Sequence, residues 1–366
     1  MTGAVACLAG FEGVSVVIHG SSGCYYYPAT LLHAPLHGTF ILEHEVIFGS
    51  EERLLEVVSG LSGKGQKIAV VTTCVPAILG EDIRSMLENY DVILVDSPGF
   101  AGDVETGYRK ALASLPIRTD PNVPGVNIDG ISLIDPFSAG NVQEISRLLR
   151  MASIPLASVF CQDRLERISG SSAYTIGTNS DFASDIGKMC GGTLGIGTVR
   201  ETFGTLSDLF EDADISPVLA EADRQEERII RACDKYLQRY DPPSVVVAAG
   251  YAYASTAARM LDQYLDADIR CICSRNPPGE CGYPVGHVTG MGQVREVIES
   301  QDPDLVIGSS FERVAAPGRA FVGLTPPLRG EIRLAPRPFA GINGSLSFIE
   351  QVLNAMLDLR SSRPRT

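Results

Sequence analysis

Strand-like apolar runs alternate with amphipathic helical stretches along most of the chain. Val14–His19, Lys67–Thr72 and Val92–Asp96 read as strands. Glu51–Gly60 carries Leu54, Leu55, Val57 and Val58 at helical spacing, and Glu81–Asn89 reads as a second helix. The rhythm restarts at Gly130–Ile134, followed by a helix over Asn141–Met151 and a strand over Ala157–Cys161. It restarts again at Ser244–Ala249, with helix Ala254–Tyr264, strand Asp268–Cys273, helix Gly292–Gln301 and strand Asp304–Gly308. A helix over Ser345–Leu359 and a short basic tail close the chain. Strand followed by helix is the pattern of parallel sheets flanked by helices. The expectation is an α/β protein of three Rossmann-like domains, at 1–120, 121–235 and 236–366. The Pro-rich stretch Pro116–Pro124 and the charged helix Pro217–Tyr240 mark the boundaries.

The 366 residues suffice for a sizeable core, and 45% hydrophobic with 20% charged residues is ordinary for a globular chain. A net charge of −14 excludes nucleic acid as an expected partner and a polybasic membrane patch. The start lacks the basic region of a secretory signal, and no run is long enough to span a bilayer. A cytoplasmic location is expected, where the nine cysteines stay reduced, metal-bound or buried.

Two segments carry the most chemistry: V-I-H-G-S-S-G-C-Y-Y-Y-P, containing Cys24, and V-V-T-T-C-V-P-A-I-L-G-E-D-I, containing Cys74. Each cysteine follows the C-terminal end of a predicted strand, the edge where open parallel sheets build sites. Gly20 and Gly23 allow close wrapping of the backbone around a bulky group. Pro76 marks a helix start, whose N–H groups favour a thiolate at Cys74. Iron is one reading of the pair and buried thiols the other.

The same segments resemble the start of nitrogenase component 1 subunits, nearest the beta-type chain. The likeness begins at G-A-V-A-C-L-A-G-F-E-G and continues through V-I-F-G-S-E-E-R-L, D-S-P-G-F-A-G-D-V-E-T-G-Y, L-I-D-P-F-S-A-G-N-V-Q-E-I, D-L-V-I-G-S-S-F-E-R and R-P-F-A-G-I-N-G-S-L. It implies that Cys24 and Cys74 match two cluster-ligating positions. The family's first cluster cysteine would fall before Met1, and Cys7 matches a non-ligand position. Two cysteines from each of two chains would then hold one [4Fe–4S] cluster shared between subunits. That pattern is closer to the nickel-sirohydrochlorin a,c-diamide reductive cyclase group than to nitrogenase proper. Ser172–Phe182 has no Cys and Glu331–Phe348 has no His, so the ligands of a nitrogen-reducing cofactor are missing from the matching regions.

The implied activity is that of a nitrogenase-like oxidoreductase. It would take electrons from a separate ATP-binding iron protein and reduce an unsaturated substrate, with a tetrapyrrole as the class suggested. The alternative is a non-catalytic scaffold for metal-cofactor assembly. The implied assembly is a homodimer or a pair with a related subunit. S-G-K-G-Q-K at 62–67 lacks the spacing of a phosphate-binding loop, so nucleotide hydrolysis belongs to the partner.

His33, His37 and His44 are candidates for proton donation, substrate entry or an axial metal ligand; the plainer reading is solvated or interface histidines. His19 reads as a structural hydrogen-bonding residue at a strand end. Tyr25, Tyr26 and Tyr27 read equally as a cover over a cluster and as dimer packing. Glu81 and Asp82 read as first-turn helix carboxylates, while Glu43, Glu45, Asp96, Asp103 and Glu105 could supply protons. Cys271, Cys273, Cys281 and His287 form a possible second metal site, set against plain buried or loop thiols.

Overall fold

The computed structural model describes residues 1–63 and 65–362. Lys64, within the 62–67 stretch, and the end of the basic tail lie outside the described residues. The strands are β1 Val14–His19, β2 Leu36–Gly38, β3 Lys67–Thr72, β4 Val92–Asp96, β5 Thr119–Asp120, β6 Val126–Asp129, β7 Leu156–Val159, β8 Ser171–Ser172, β9 Tyr174–Gly177 and β10 Lys188–Gly192. They continue as β11 Ser244–Ala249, β12 Asp268–Ser274, β13 Val285–His287, β14 Leu305–Gly308 and β15 Ala320–Gly323. They form sheets of order β2-β1-β3-β4, β10-β9-β6-β7 and β13-β12-β11-β14-β15, with β5 paired to β8. The chain is thus α/β with three sheets of four or five strands, and two compact units divide it.

The first unit comprises Met1–Ile134, Ala157–Thr175 and Phe182–Lys188. Its sheet is parallel at every pair, with His19 opposite Thr72 and Thr72 opposite Asp96. Five of six residues in both β1 and β3 are buried, because helices cover both faces. One cover is the helix Thr2–Gly10, apolar nearly throughout and buried from Gly3 to Leu8. A helix with no polar face must lie inside. It crosses the helix Val104–Ala113 backbone to backbone, since a Cβ on Gly3 would fall 1.8 Å from the Val104 carbonyl oxygen.

The second unit comprises Asp135–Leu156, Ile176–Asp181 and Met189–Thr366. Its five-stranded sheet is parallel throughout and carries the helices Tyr251–Leu265 and Met291–Gln301. Asn141 is a buried junction there: its Oδ1 accepts the N–H groups of Phe339 and Ala340, and its Nδ2 donates to the Tyr253 hydroxyl at 2.8 Å. Glu144, also buried, accepts from the backbone and side chain of Asn343 and pairs with Arg147 at 2.9 Å. No helix among the described residues is long and apolar enough to cross a membrane.

Two sequence expectations need correction. The strand predicted at Gly130–Ile134 lies earlier, at β6, because Gly130 takes φ +78° and turns the chain out of the sheet. The helix predicted over Glu81–Asn89 is a single turn, Ile83–Met86, started by the Asp82 side chain.

Candidate metal centre

Cys24 lies in the first turn of the helix Ser22–Leu32, three residues past the turn that leaves β1. Cys74 opens the helix Cys74–Leu79, directly after β3. The strands β1 and β3 are parallel neighbours, so both cysteines stand at one sheet edge. Both thiols are free and partly exposed. The Met1 α-amino group has its pKa lowered mainly by burial, and it feels both Cys74 and Cys24. The buried chain start thus lies near both cysteine segments.

The sulfurs have polar backbone and hydroxyl neighbours, and the Met1 α-amino group lies near both. The Gly99 N–H donates to Cys74 Sγ at 3.1 Å, and a Cβ at Gly99 would stand 3.4 Å from that sulfur. The Ser21 hydroxyl faces Cys24 Sγ at 3.7 Å. Thr73, next to Cys74, is fully buried and its hydroxyl has no partner. Two accessible soft sulfur donors, one N–H aimed at a sulfur and glycine in place of bulk at Gly99 fit part of an iron–sulfur ligand shell. Two sulfurs are half of a four-cysteine set.

Gly20 serves a different purpose from the one expected. Its missing Cβ admits Thr73 and so packs the two cysteine segments together. Gly23 meets little and faces open space.

Behind this edge runs a buried hydrogen-bonded chain. His19, fully buried, places Nδ1 3.1 Å from Thr39 Oγ1 and Nε2 3.2 Å from Ser50 Oγ. Thr39 Oγ1 accepts the Gly20 N–H at 3.0 Å. Ser50 donates its hydroxyl to the Glu81 carboxylate at 2.7 and 2.8 Å and its backbone N–H at 2.9 Å. Burial pushes the His19 pKa below its ordinary value, with Glu81 opposing. Glu81 thus follows its helix, past the Gly80 cap, and is not a first-turn carboxylate.

The other predicted residues are scattered in role. His33 caps the helix Ser22–Leu32 in the left-handed region and is exposed, as is His44; His37 lies in β2. Asp103 caps a helix through the Thr106 N–H, Asp96 accepts from Thr72 at 2.6 Å, and Glu45 is held by the Leu42 N–H and Arg53. Tyr25 is half-buried, its hydroxyl on the Leu36 carbonyl, while Tyr26 and Tyr27 are exposed. Cys161 is absorbed in the core, where Cys7 Sγ lies 3.3 Å from Cys161 Sγ and Cys161 lies 3.2 Å from the Tyr108 hydroxyl.

Cys271 and Cys273 face the same side of β12, and a hydrogen bond from Cys273 brings the Cys271 pKa down to about 7. Cys281 lies beside Tyr251, and His287 is exposed on β13. Among the described residues no three or more His, Cys, Asp or Glu side chains gather as a metal site. Cys271 and Cys273 stand together as a pair on β12, with Cys281 in the loop that follows.

Sequence reasoning missed Thr39, Ser50 and Thr73. The only available signal was their position, each a small hydroxyl residue just beyond a strand or just before a helix.

Comparison with known proteins agrees with this architecture. The family model for nitrogenase component 1 type oxidoreductases matches residues 1–357. The nitrogenase iron-molybdenum cofactor biosynthesis protein NifE of Clostridium pasteurianum is 26% identical over 196 residues, 49% of this chain and 41% of that protein. The nitrogenase molybdenum-iron protein beta chain of Bradyrhizobium diazoefficiens is 28% identical over 185 residues, 42% of this chain and 35% of that one. The matched segments thus span 41% and 35% of the length of these curated relatives. A solved structure of nitrogenase Cp1 at pH 6.5 superposes with a TM-score of 0.84 at 18% identity, covering 100% of this chain and 93% of that one, which speaks to the fold alone. The chain belongs to the nitrogenase component 1 type oxidoreductase family.

Proposed function

We propose that this chain is the cluster-bearing component of a nitrogenase-like reductase, with Cys24 and Cys74 as its share of the ligands. The observation that supports it is the placement of two free thiols in the first turns of the helices that follow two adjacent parallel strands, at one sheet edge. When bound, an iron–sulfur cluster would supply low-potential electron transfer at that edge. The protein's own groups hold the sulfurs. The Gly99 N–H supports charge on Cys74, and hydrogen bonds to ligand sulfurs tune reduction potential.

The remaining ligands come from a second subunit, a copy of this chain or a related one. Exposed apolar side chains follow the C-terminal ends of four parallel strands: Tyr26 after β1, Phe48 after β2, Ile78 after β3 and Phe100 after β4. Phe48 is 86% exposed and Ile78 73% exposed, more than a lone soluble surface tolerates in one place. A symmetric pairing across this edge buries them and brings the second pair of cysteines. Electrons would come from a separate ATP-binding iron protein, and the substrate would be an unsaturated molecule of the tetrapyrrole class.

A second reading, a scaffold on which a metal cofactor is assembled, is favoured by the similarity to NifE, comparable to that for the beta chain. One experiment separates the two. Anaerobic protein is incubated with a low-potential reductant, an ATP-hydrolysing iron protein and a tetrapyrrole diamide. Reduced product at catalytic yield supports the enzyme. Transfer of iron to an apoprotein without product supports the scaffold.

A further inference from the structure

Gly20, Thr39, His19, Ser50 and Glu81 form one continuous hydrogen-bonded chain. The Gly20 N–H donates to Thr39 Oγ1, and the Thr39 hydroxyl faces both His19 Nδ1 at 3.1 Å and the Gly20 carbonyl at 3.4 Å. Ser50 spends its hydroxyl proton on Glu81, so its oxygen accepts from His19 Nε2–H. A neutral His19 with its proton on Nε2 fits these contacts, with Nε2 facing Ser50 Oγ at 3.2 Å and the Glu81 carboxylate at 3.4 Å. The tautomer follows from this network, and the burial of His19 favours the same neutral form.

The ends of the chain decide what it holds. Gly20 is the first residue after β1 and leads into Cys24. Glu81 follows Gly80, the C-terminal cap of the helix that Cys74 opens. Thr39 lies just past β2, and Ser50 precedes the helix Glu51–Leu61. The entry to one cysteine segment and the exit from the other are therefore tied through four buried or nearly buried side chains. A direct bond from the Thr73 N–H to the His19 carbonyl, 3.1 Å, closes the frame. A fully hydrogen-bonded buried network of this kind rigidifies the segments that it joins.

We infer that His19, Thr39, Ser50 and Glu81 are positioning residues that set the spacing of the Cys24 and Cys74 thiols. The inference rests on the cluster reading for its consequence, and on geometry alone for the spacing itself. Residues that orient metal ligands through hydrogen bonds typically matter about tenfold or more for metal affinity.

The test compares wild type with Ser50→Ala, Glu81→Gln and Thr39→Val, and with Ser50→Thr as the conservative rescue. Two readouts are taken on each. The first is iron retained after anaerobic reconstitution and challenge with a chelator, together with the reduction potential. The second needs no iron: the yield of Cys24–Cys74 cross-link formed by a short bis-alkylating reagent in the apoprotein.

Expected are about tenfold weaker iron retention and a shifted potential in the three disrupting variants, with a lower cross-link yield and recovery of both in Ser50→Thr. Wild-type retention, potential and cross-link yield in folded Ser50→Ala and Glu81→Gln would overturn the positioning role. If Ser50→Ala does not fold, Glu81→Gln and Thr39→Val decide. A wild type that binds no iron, with a cross-link yield that still falls in the variants, would remove the cluster reading and keep the positioning role.

Discussion

Gly20 and Thr73 meet so closely that a Cβ on Gly20 would fall 1.9 Å from Thr73 Oγ1 and 2.9 Å from Thr73 Cβ. The contact joins the two cysteine segments and leaves no room for any side chain. Gly20→Ala is expected to cost about 1–3 kcal/mol by overpacking and to push the segments apart. Gly20→Ala with Thr73→Gly should recover most of it. Chemical denaturation of the four proteins of this double-mutant cycle measures the coupling; additive losses would mean that the contact does not bind the segments.

The surface beyond the sheet edge is expected to be an interface. Phe48→Arg places a charge at a side chain that is 86% exposed. Sedimentation should show wild type as a dimer and Phe48→Arg shifted to monomer, with iron per chain falling in parallel. A variant that is monomeric but keeps its iron would show that one chain completes the ligand set.

Asn141 should matter more than its polar character suggests. Asn141→Ala strands the N–H groups of Phe339 and Ala340 inside the core and removes a donor to Tyr253. Each stranded group costs about 1–3 kcal/mol, so a loss of about 2–4 kcal/mol is expected in denaturant titrations.

Asp135 gives a pH signature. Burial, the largest influence, raises its carboxyl pKa from 3.8 to about 6, against hydrogen bonds from the Tyr253 hydroxyl and the Phe137 N–H. The folded value lies above the unfolded one. The stabilising contribution of the protonated form is therefore complete below 3.8 and is lost as pH rises through about 6. The loss is on the order of 2–3 kcal/mol. Asp135→Asn keeps one of the two acceptor oxygens, removes the titrating proton and should flatten this part of the stability profile between about pH 4 and 7, read from urea midpoints.

The α/β alternation was legible because buried strands such as β1, β3 and β11 are uninterrupted apolar runs between amphipathic helices. Two helices were not legible. Thr2–Gly10 has no polar face and hence no period, and Ser22–Leu32 contains Gly23 and Pro28, which read as loop residues. The cysteine pair was legible from strand ends. The polar frame behind it was not, because Thr39, Ser50 and Glu81 are brought to His19 only by the pairing of β1 with β2 and β3. Four ligand-type residues at Cys271, Cys273, Cys281 and His287 looked equally suggestive in one dimension. Strand β12 keeps Cys271 and Cys273 together, while Cys281 in the loop after it faces the Tyr283 carbonyl.

The central claim is that Cys24 and Cys74 together hold iron. Wild type, Cys24→Ala and Cys74→Ala are purified and reconstituted anaerobically, and iron and sulfide are counted with the visible spectrum. The expected result is about four irons for every two wild-type chains, with both variants colourless and iron-free. A wild type without iron, or loss of iron in only one of the two variants, would contradict it.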